Sequence, residues 1–270
     1  MSNCCLIIRE EKNQIAFVKI NQLAIEMKSL KIALLILLAS CATTEKLGET
    51  PLQQIVKNQQ GKGISFEIEF RKGKAHNHPT FAFWIEDLDG KYIQTLFVTQ
   101  YIATGTYAHG QLEPGKWNDV EGSAERPASL PYWLHKRNVK NRKGTLLPTA
   151  DEPVPDACTA ATPKSDFILN TKADAQLPKK FRLLMEINQP WDSNAFWNNA
   201  KYPESWDYRA SLQPALVYAT TIDLENGGNE YWLNPVGHSH WTGEDGKLYT
   251  DITSITTAKE IVEQIIVKLK

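Results

Sequence analysis

The sequence predicts an all-β protein: a β-sandwich with a long Pro-rich insertion and little helix. Three observations carry that expectation. Apolar and polar residues alternate at period two in several separate stretches, Gly, Asn and Pro turns divide those stretches, and almost no segment shows a long helical period. The 270 residues are 42% hydrophobic and 23% charged, with a formal net charge of −1, enough for one large or two small domains. No strongly basic or acidic block is present, which argues against nucleic acid as a partner.

Residues 1–26 mix both charges and read as an extension ahead of a true start at Met27. Residues 27–40 read as a signal peptide: Lys28 and Lys31 precede an apolar run from Ile32 to Ala39, followed by the small residue Ser40. That run is shorter than the roughly 20 apolar residues a helical membrane span needs. Leu38-Ala39-Ser40-Cys41 resembles the lipobox of bacterial lipoproteins, which implies a lipid on Cys41 and anchorage to the membrane. Residue 42 is Ala rather than Asp. By lipoprotein sorting this implies an outer-membrane protein facing the periplasm or the exterior. Cys4 and Cys5 lie in the leader, so Cys158 is left as the one unmodified cysteine and no intrachain disulfide is expected.

Residues 41–60 form a polar tether, and residues 61–270 are expected to make one sandwich domain. In "ISFEIEF", Ile64, Phe66, Ile68 and Phe70 share one face, opposite Ser65, Glu67 and Glu69. "FAFWIED" follows as a strand, and Asp89-Gly90 between apolar runs signals a hairpin. Phe181, Leu183, Met185 and Ile187 alternate in "FRLLMEIN". "ALVYATTIDLENGGNEYWLNP" predicts a second hairpin turning at Asn226-Gly227-Gly228. The C-terminal segment reads as a helical turn feeding a last strand. Between the β-rich parts, residues 121–166 hold a Pro-rich, loop-heavy middle with a basic run from His135 to Lys143. A loop of that length inside one domain is usually functional or a linker.

No P-loop, Gly-x-Ser-x-Gly elbow, His-Glu-x-x-His or dinucleotide fingerprint is present, so an ordinary hydrolase or dehydrogenase is unsupported. Four features carry potential chemistry. His76 with His78, and His238 with His240, form two His-x-His pairs. On a strand each pair points one way and would chelate a transition metal through two imidazoles; surface loop histidines without a ligand are the plainer alternative. Trp191, Trp197 and Trp206 crowd into "INQPWDSNAFWNNAKYPESWDYRA" beside amide donors suited to stacking on a sugar or a flavin, or else they pin a loop to the sandwich. Arg126, Lys136 and Arg137 flank a Pro- and aromatic-rich core that would cradle an anionic ligand, or form a solvated basic rim.

The fourth feature is "DACTAATP". Asp156, Thr159 and Thr162 stand where this run resembles the Asp-x-x-Ser/Thr-Gly-Ala-Thr motif of secreted flavin-carrying domains. The resemblance implies covalent FMN, joined by phosphoester to the Thr162 hydroxyl. Ala160 replaces the motif's Gly and Pro163 follows it, which are departures. The local alternative is a turn capped by Asp156 and Thr159.

"FAFWIEDLDGKYIQTLFVTQ", "ERPASLPYWLHKR" and "DACTAATPKSDFIL" together resemble the periplasmic family called domain of unknown function 2271, labelled as having an Ig-like, flagellar-hook-capping-like fold. "QPALVYATTIDL" and "LNPVGHSHWTGEDGKLYTDITSITTA" resemble the C-terminal half of its lipoprotein-type members. The resemblance implies an extracytoplasmic immunoglobulin-like β-sandwich with a redox neighbourhood, of a kind often encoded near flavin-transferase and PepSY-type membrane proteins. The expected function is a lipid-anchored binding or accessory protein of a flavin- or metal-linked redox system, rather than an enzyme. A glycan-binding lipoprotein and a metal-dependent enzyme built on the two His-x-His pairs are the alternatives.

Overall fold

In the computed structural model, which describes residues 52–270, the alternation of "SFEIEFRK" becomes β2 (Ser65–Lys72), with Phe66, Ile68 and Phe70 fully buried. The expected leader, Cys41 and most of the tether lie outside the described residues. β2 sits in the middle of a five-stranded sheet. Its neighbours there are β1 (Gln53–Val56) and β10 (Phe167–Lys172) on one side, and β15 (Val262–Leu269) and β13 (Glu230–Trp232) on the other. A six-stranded sheet runs in the order β14 (Asn234–His238), β12 (Leu216–Asp223), β11 (Lys180–Asn188), β3 (Thr80–Glu86), β4 (Tyr92–Thr99) and β9 (Thr159–Ala160). The pairing is antiparallel except for β1 with β10 and β4 with β9. The protein is an all-β sandwich.

The two sheets are glued by aromatics. Phe70 of β2 stacks on Phe81 of β3 at 5.8 Å and on Phe167 of β10 at 4.8 Å, while Phe66 meets the edge of Phe181 at 6.2 Å. Phe181, Leu183, Met185 and Ile187 point from β11 into this core. Such rings bury large apolar areas and gain further from edge and offset-stacked contacts.

β3, β11 and the start of β12 are buried on their other face as well, where Ala82, Trp84, Leu184 and Val217 form a second apolar layer with Leu130, Tyr132, Trp133, Leu134 and Val154. The Pro-rich middle is therefore a packed cover over the back of the six-stranded sheet rather than a loose insertion. A helix at Pro131–Arg137, with Pro at its first position, seats this cover. Glu186, fully buried on β11, accepts the Tyr132 and Trp133 backbone N–H groups at 3.2 and 2.7 Å. The Trp133 indole N–H donates to Thr95 Oγ1 at 2.9 Å. Lys136 lies 3.7 Å from the buried Glu86 carboxylate and donates to the Gly90 carbonyl at 2.7 Å.

The first predicted hairpin forms between β3 and β4, with Gly90 at φ 78° in its turn. The second does not. β12 pairs with β14, whereas β13 crosses to the other sheet and pairs with β15, so Asn226-Gly227-Gly228 is a sheet-to-sheet crossover. The Gly227 N–H and the Tyr231 hydroxyl both donate to the Asp223 carbonyl, which closes the turn without pairing the strands that flank it. At the C-terminus, a single 3-10 turn at Thr257–Glu260 leads into β15.

Candidate functional site

Beyond β4 the chain enters a short helix at Gln100–Thr104, turns at Gly105, and forms two small ribbons: β5 (Thr106–Tyr107) with β8 (Gly122–Ser123), and β6 (Gln111–Glu113) with β7 (Lys116–Trp117). These project Tyr101, Tyr107 and His109 toward the turn before β3, which carries Asn77 and His78, and toward the loop after β11, which carries Pro190 and Trp191. Arg126 and Ser129, from the start of the packed cover, complete a cleft of about 380 Å³. That volume is in the range of small-molecule sites.

Aromatic rings dominate the walls. Tyr101 stacks on Tyr107 at 5.7 Å. The Arg126 guanidinium lies 4.5 Å from the Tyr107 ring centre, 4.9 Å from that of Trp117 and 5.7 Å from that of Trp191. Arg126 is only 8% exposed, and burial lowers its pKa from the ordinary arginine value. Trp191, by contrast, is 58% exposed and stands at the mouth.

Two rim residues hold unusual backbones. His78 has φ 52° and Trp191 has φ 56°, a left-handed conformation that His adopts more readily than most residues but that costs a bulky residue such as Trp of order 1 kcal/mol or more. Each is locked by neighbours. The Asn77 N–H next to His78 donates to Gln189 Oε1 at 2.7 Å, and the Trp191 N–H donates to the Ala210 carbonyl at 3.1 Å. Strain of this kind, maintained by the surroundings, concentrates at ligand sites.

Trp191 also walls a smaller recess of about 170 Å³ that includes Trp117, Trp206 and Arg209. Arg209 covers the Trp206 ring at 4.3 Å. Gly115, at φ 80°, lets the Trp206 ring lie directly on the β6–β7 turn, since a Cβ there would collide with it.

The predicted residues distribute as follows. Trp191 and Trp206 are exposed and flank the recess, but Trp197 is 3% exposed. It packs against Tyr208, His238 and Trp241 in the main core and donates its indole N–H to Ser254 Oγ at 3.1 Å. The three tryptophans therefore form no common stacking surface. Arg126, Lys136 and Arg137 also part company. Lys136 is committed to Glu86, and Arg137 lies 5.8 Å from the Trp133 ring in a separate small pocket beside Cys158.

The two His-x-His pairs do not converge. Among the described residues no group of three or more His, Cys, Asp or Glu side chains is placed to hold a metal ion. His238 and His240 are buried in aromatic packing: His238 stacks on Tyr249 at 5.4 Å and His240 on Trp241 at 4.2 Å. His76 packs against Phe70, and its Nε2 lies 3.3 Å from the Pro163 carbonyl. Burial lowers the pKa of both His76 and His238. His78 alone of the four reaches the cleft.

Thr162 is half-buried in the loop between β9 and β10, next to exposed Ala161, and its hydroxyl has no hydrogen bond to a described residue. Asp156 opens a single 3-10 turn without a side-chain cap, and Thr159 is a buried member of β9. Cys158 is half-buried, and burial pushes its thiol up to about 11.

Tyr101, Tyr107, His109 and Trp117 were not singled out by motif or periodicity. Their signal is the clustering of aromatics and histidine with Gly105, Gly110 and Gly115 after a strand, a composition suited to a shaped surface loop. Among the described residues no helix is long and apolar enough to cross a membrane. No family model, curated protein or solved structure matches the chain.

Proposed function

We propose that this chain is a cell-envelope binding or accessory protein, held to the outer membrane by lipid on Cys41 and facing the periplasm or the exterior, which takes a small organic ligand in the Arg126–Trp191 cleft. The observation that carries the reading is the cleft itself: about 380 Å³, walled by Tyr101, Tyr107 and Trp191, with polar groups at few points. Aromatic walls with sparse polar anchors are what recognition of a flat or ring-shaped molecule requires. The motifs that resemble domain of unknown function 2271 add the expectation of a flavin-linked redox neighbourhood and a PepSY-type membrane partner.

Titration of the full chain with flat aromatic acids, amides and monosaccharides, followed by tryptophan fluorescence, tests the cleft. The expected result is saturable binding that falls about tenfold or more on Trp191→Ala. Unchanged binding in that variant would move the ligand elsewhere. A monosaccharide preference would favour the glycan-binding alternative, now resting on Trp191 and Trp206.

A second reading keeps Thr162 as an acceptor of covalent FMN, supported by small neighbours and by a hydroxyl that makes no hydrogen bond to a described residue. Its loop is tied through the Pro163 carbonyl to His76, two residues from His78 on the cleft rim. Intact-mass measurement after co-expression with a flavin transferase tests it. An added FMN mass, lost in Thr162→Ala, is expected; an unchanged mass removes the reading.

A further inference from the structure

Resting on the cleft as the binding site, we propose that its ligand carries an oxyanion, carboxylate or phosphate, on a flat ring, with the oxyanion taken by Arg126 and Tyr107. The argument begins with what Arg126 lacks. Its side chain is buried among three aromatic rings, yet it makes no ion pair with a described carboxylate. Its Nε–H is buried without an acceptor among the described residues. Leaving a buried charged donor unpaired costs free energy that ordinary cores avoid. Facing rings offset part of that cost, because the π-face attracts a cation, but they accept no conventional hydrogen bond.

Tyr107 adds an independent observation. It is 4% exposed, and its hydroxyl is likewise buried without a partner among the described residues. A lone buried hydroxyl could belong to imperfect packing. Arg126 and Tyr107 both line the one cleft, with the guanidinium carbon 4.5 Å from the Tyr107 ring centre, so two donors without a partner among the described residues sit side by side, complementary to an acceptor that arrives from outside. The guanidinium fork matches carboxylate and phosphate oxygens, and hydrogen bonds to a charged group are the strong ones.

The rings define the rest of the ligand. With Tyr101 and Trp191 bounding the same cleft, a planar body attached to the oxyanion would be enclosed by aromatic faces. Trp191, exposed and at the mouth, is the residue that would close over it.

The test is calorimetric titration of the full chain with three probes of similar shape: benzoate, phenyl phosphate and benzamide. The anions are expected to bind roughly 10- to 100-fold tighter than the amide, the range expected for charge-assisted hydrogen bonds. Whichever anion binds tighter identifies the oxyanion class. Tyr107→Phe removes only the hydroxyl, so it should weaken anion binding by about tenfold and leave benzamide unchanged, without lowering the melting temperature. Arg126→Gln should abolish the preference for anions. Equal affinity for benzoate, phenyl phosphate and benzamide would overturn the oxyanion assignment while leaving the cleft reading standing. Absence of saturable binding by all three would overturn both. Should Arg126→Gln fail to fold, Tyr107→Phe decides alone: anion affinity unchanged in that variant contradicts the proposal.

Discussion

The Arg126 guanidinium lies 5.7 Å from the centre of the Trp191 ring, which joins the packed Pro-rich cover to the loop after β11 at the mouth of one cleft. Arg126 is the buried member of this pair and Trp191 the exposed one. The two should therefore separate in mutagenesis. Trp191→Ala is expected to change stability by no more than about 1 kcal/mol, as for an exposed side chain, while lowering ligand affinity. A large fall in denaturant midpoint would instead make Trp191 a structural pin.

Trp197 makes the opposite prediction. It is buried among Tyr208, His238 and Trp241, so Trp197→Ala should cost about 3–5 kcal/mol in unfolding free energy. Urea titration of the variant checks this. A loss below about 1 kcal/mol would show that the aromatic cluster is loosely packed.

Glu186 sets a pH dependence. Burial pushes its carboxyl up to about 8, against the pull of the Tyr132 and Trp133 N–H groups. The folded state thus holds the proton that the unfolded chain releases near pH 4.3. Its contribution is fully present below that pH and is lost as pH rises through about 8. His76 and His238, whose pKa values burial lowers, act in the opposite sense, so the difference between wild type and Glu186→Gln isolates the effect. Between about pH 5 and 8 that difference should fall by up to about 1.4 kcal/mol per unit, measured by denaturation at each pH. A flat difference would contradict it.

Gly115 tests the aromatic recess. Gly115→Ala puts a side chain at φ 80° and against the Trp206 ring, so it should destabilise the β6–β7 turn by about 1 kcal/mol or more. The Trp206 emission should shift as the ring is displaced. An unperturbed spectrum and midpoint would deny the contact.

Cys158 should be slow to alkylate. With its thiol pushed up to about 11 by burial, the thiolate fraction near neutral pH is roughly a hundredfold below that of an ordinary cysteine. Iodoacetamide labelling of the native and the urea-unfolded chain, compared by mass, checks it. Equal rates would contradict the buried placement.

Much of the sandwich was legible because period-two alternation states which residues face inward. Phe66, Ile68 and Phe70 on β2, and Phe181, Leu183, Met185 and Ile187 on β11, lie in the core as that pattern requires. The second apolar layer was harder to see. Trp84 and Leu184 interrupt the alternation because both faces of their strands are covered, and that cover comes from a Pro-rich segment without periodicity of its own. The turn at Asn226-Gly227-Gly228 was visible, but local turn chemistry does not say which sheet the next strand joins. Arg126 and Trp191 were each noticeable from composition, yet their meeting depends on how the cover docks, through Glu186 and the helix at Pro131–Arg137. The histidine pairs misled for the same reason. His-x-His spacing is equally suited to chelation and to stacking inside an aromatic core, and the neighbours Trp197, Trp241 and Tyr249 decide for packing at His238 and His240.

The most direct test of the cleft as the binding site is the indole N–H spectrum of the ¹⁵N-labelled full chain during titration with benzoate. The chain has eight tryptophans, each with its own indole resonance. Saturable shifts at Trp191 and Trp117, with Trp84, Trp133 and Trp197 unmoved, are predicted. Shifts confined to other tryptophans, or none at saturating probe, would contradict the account.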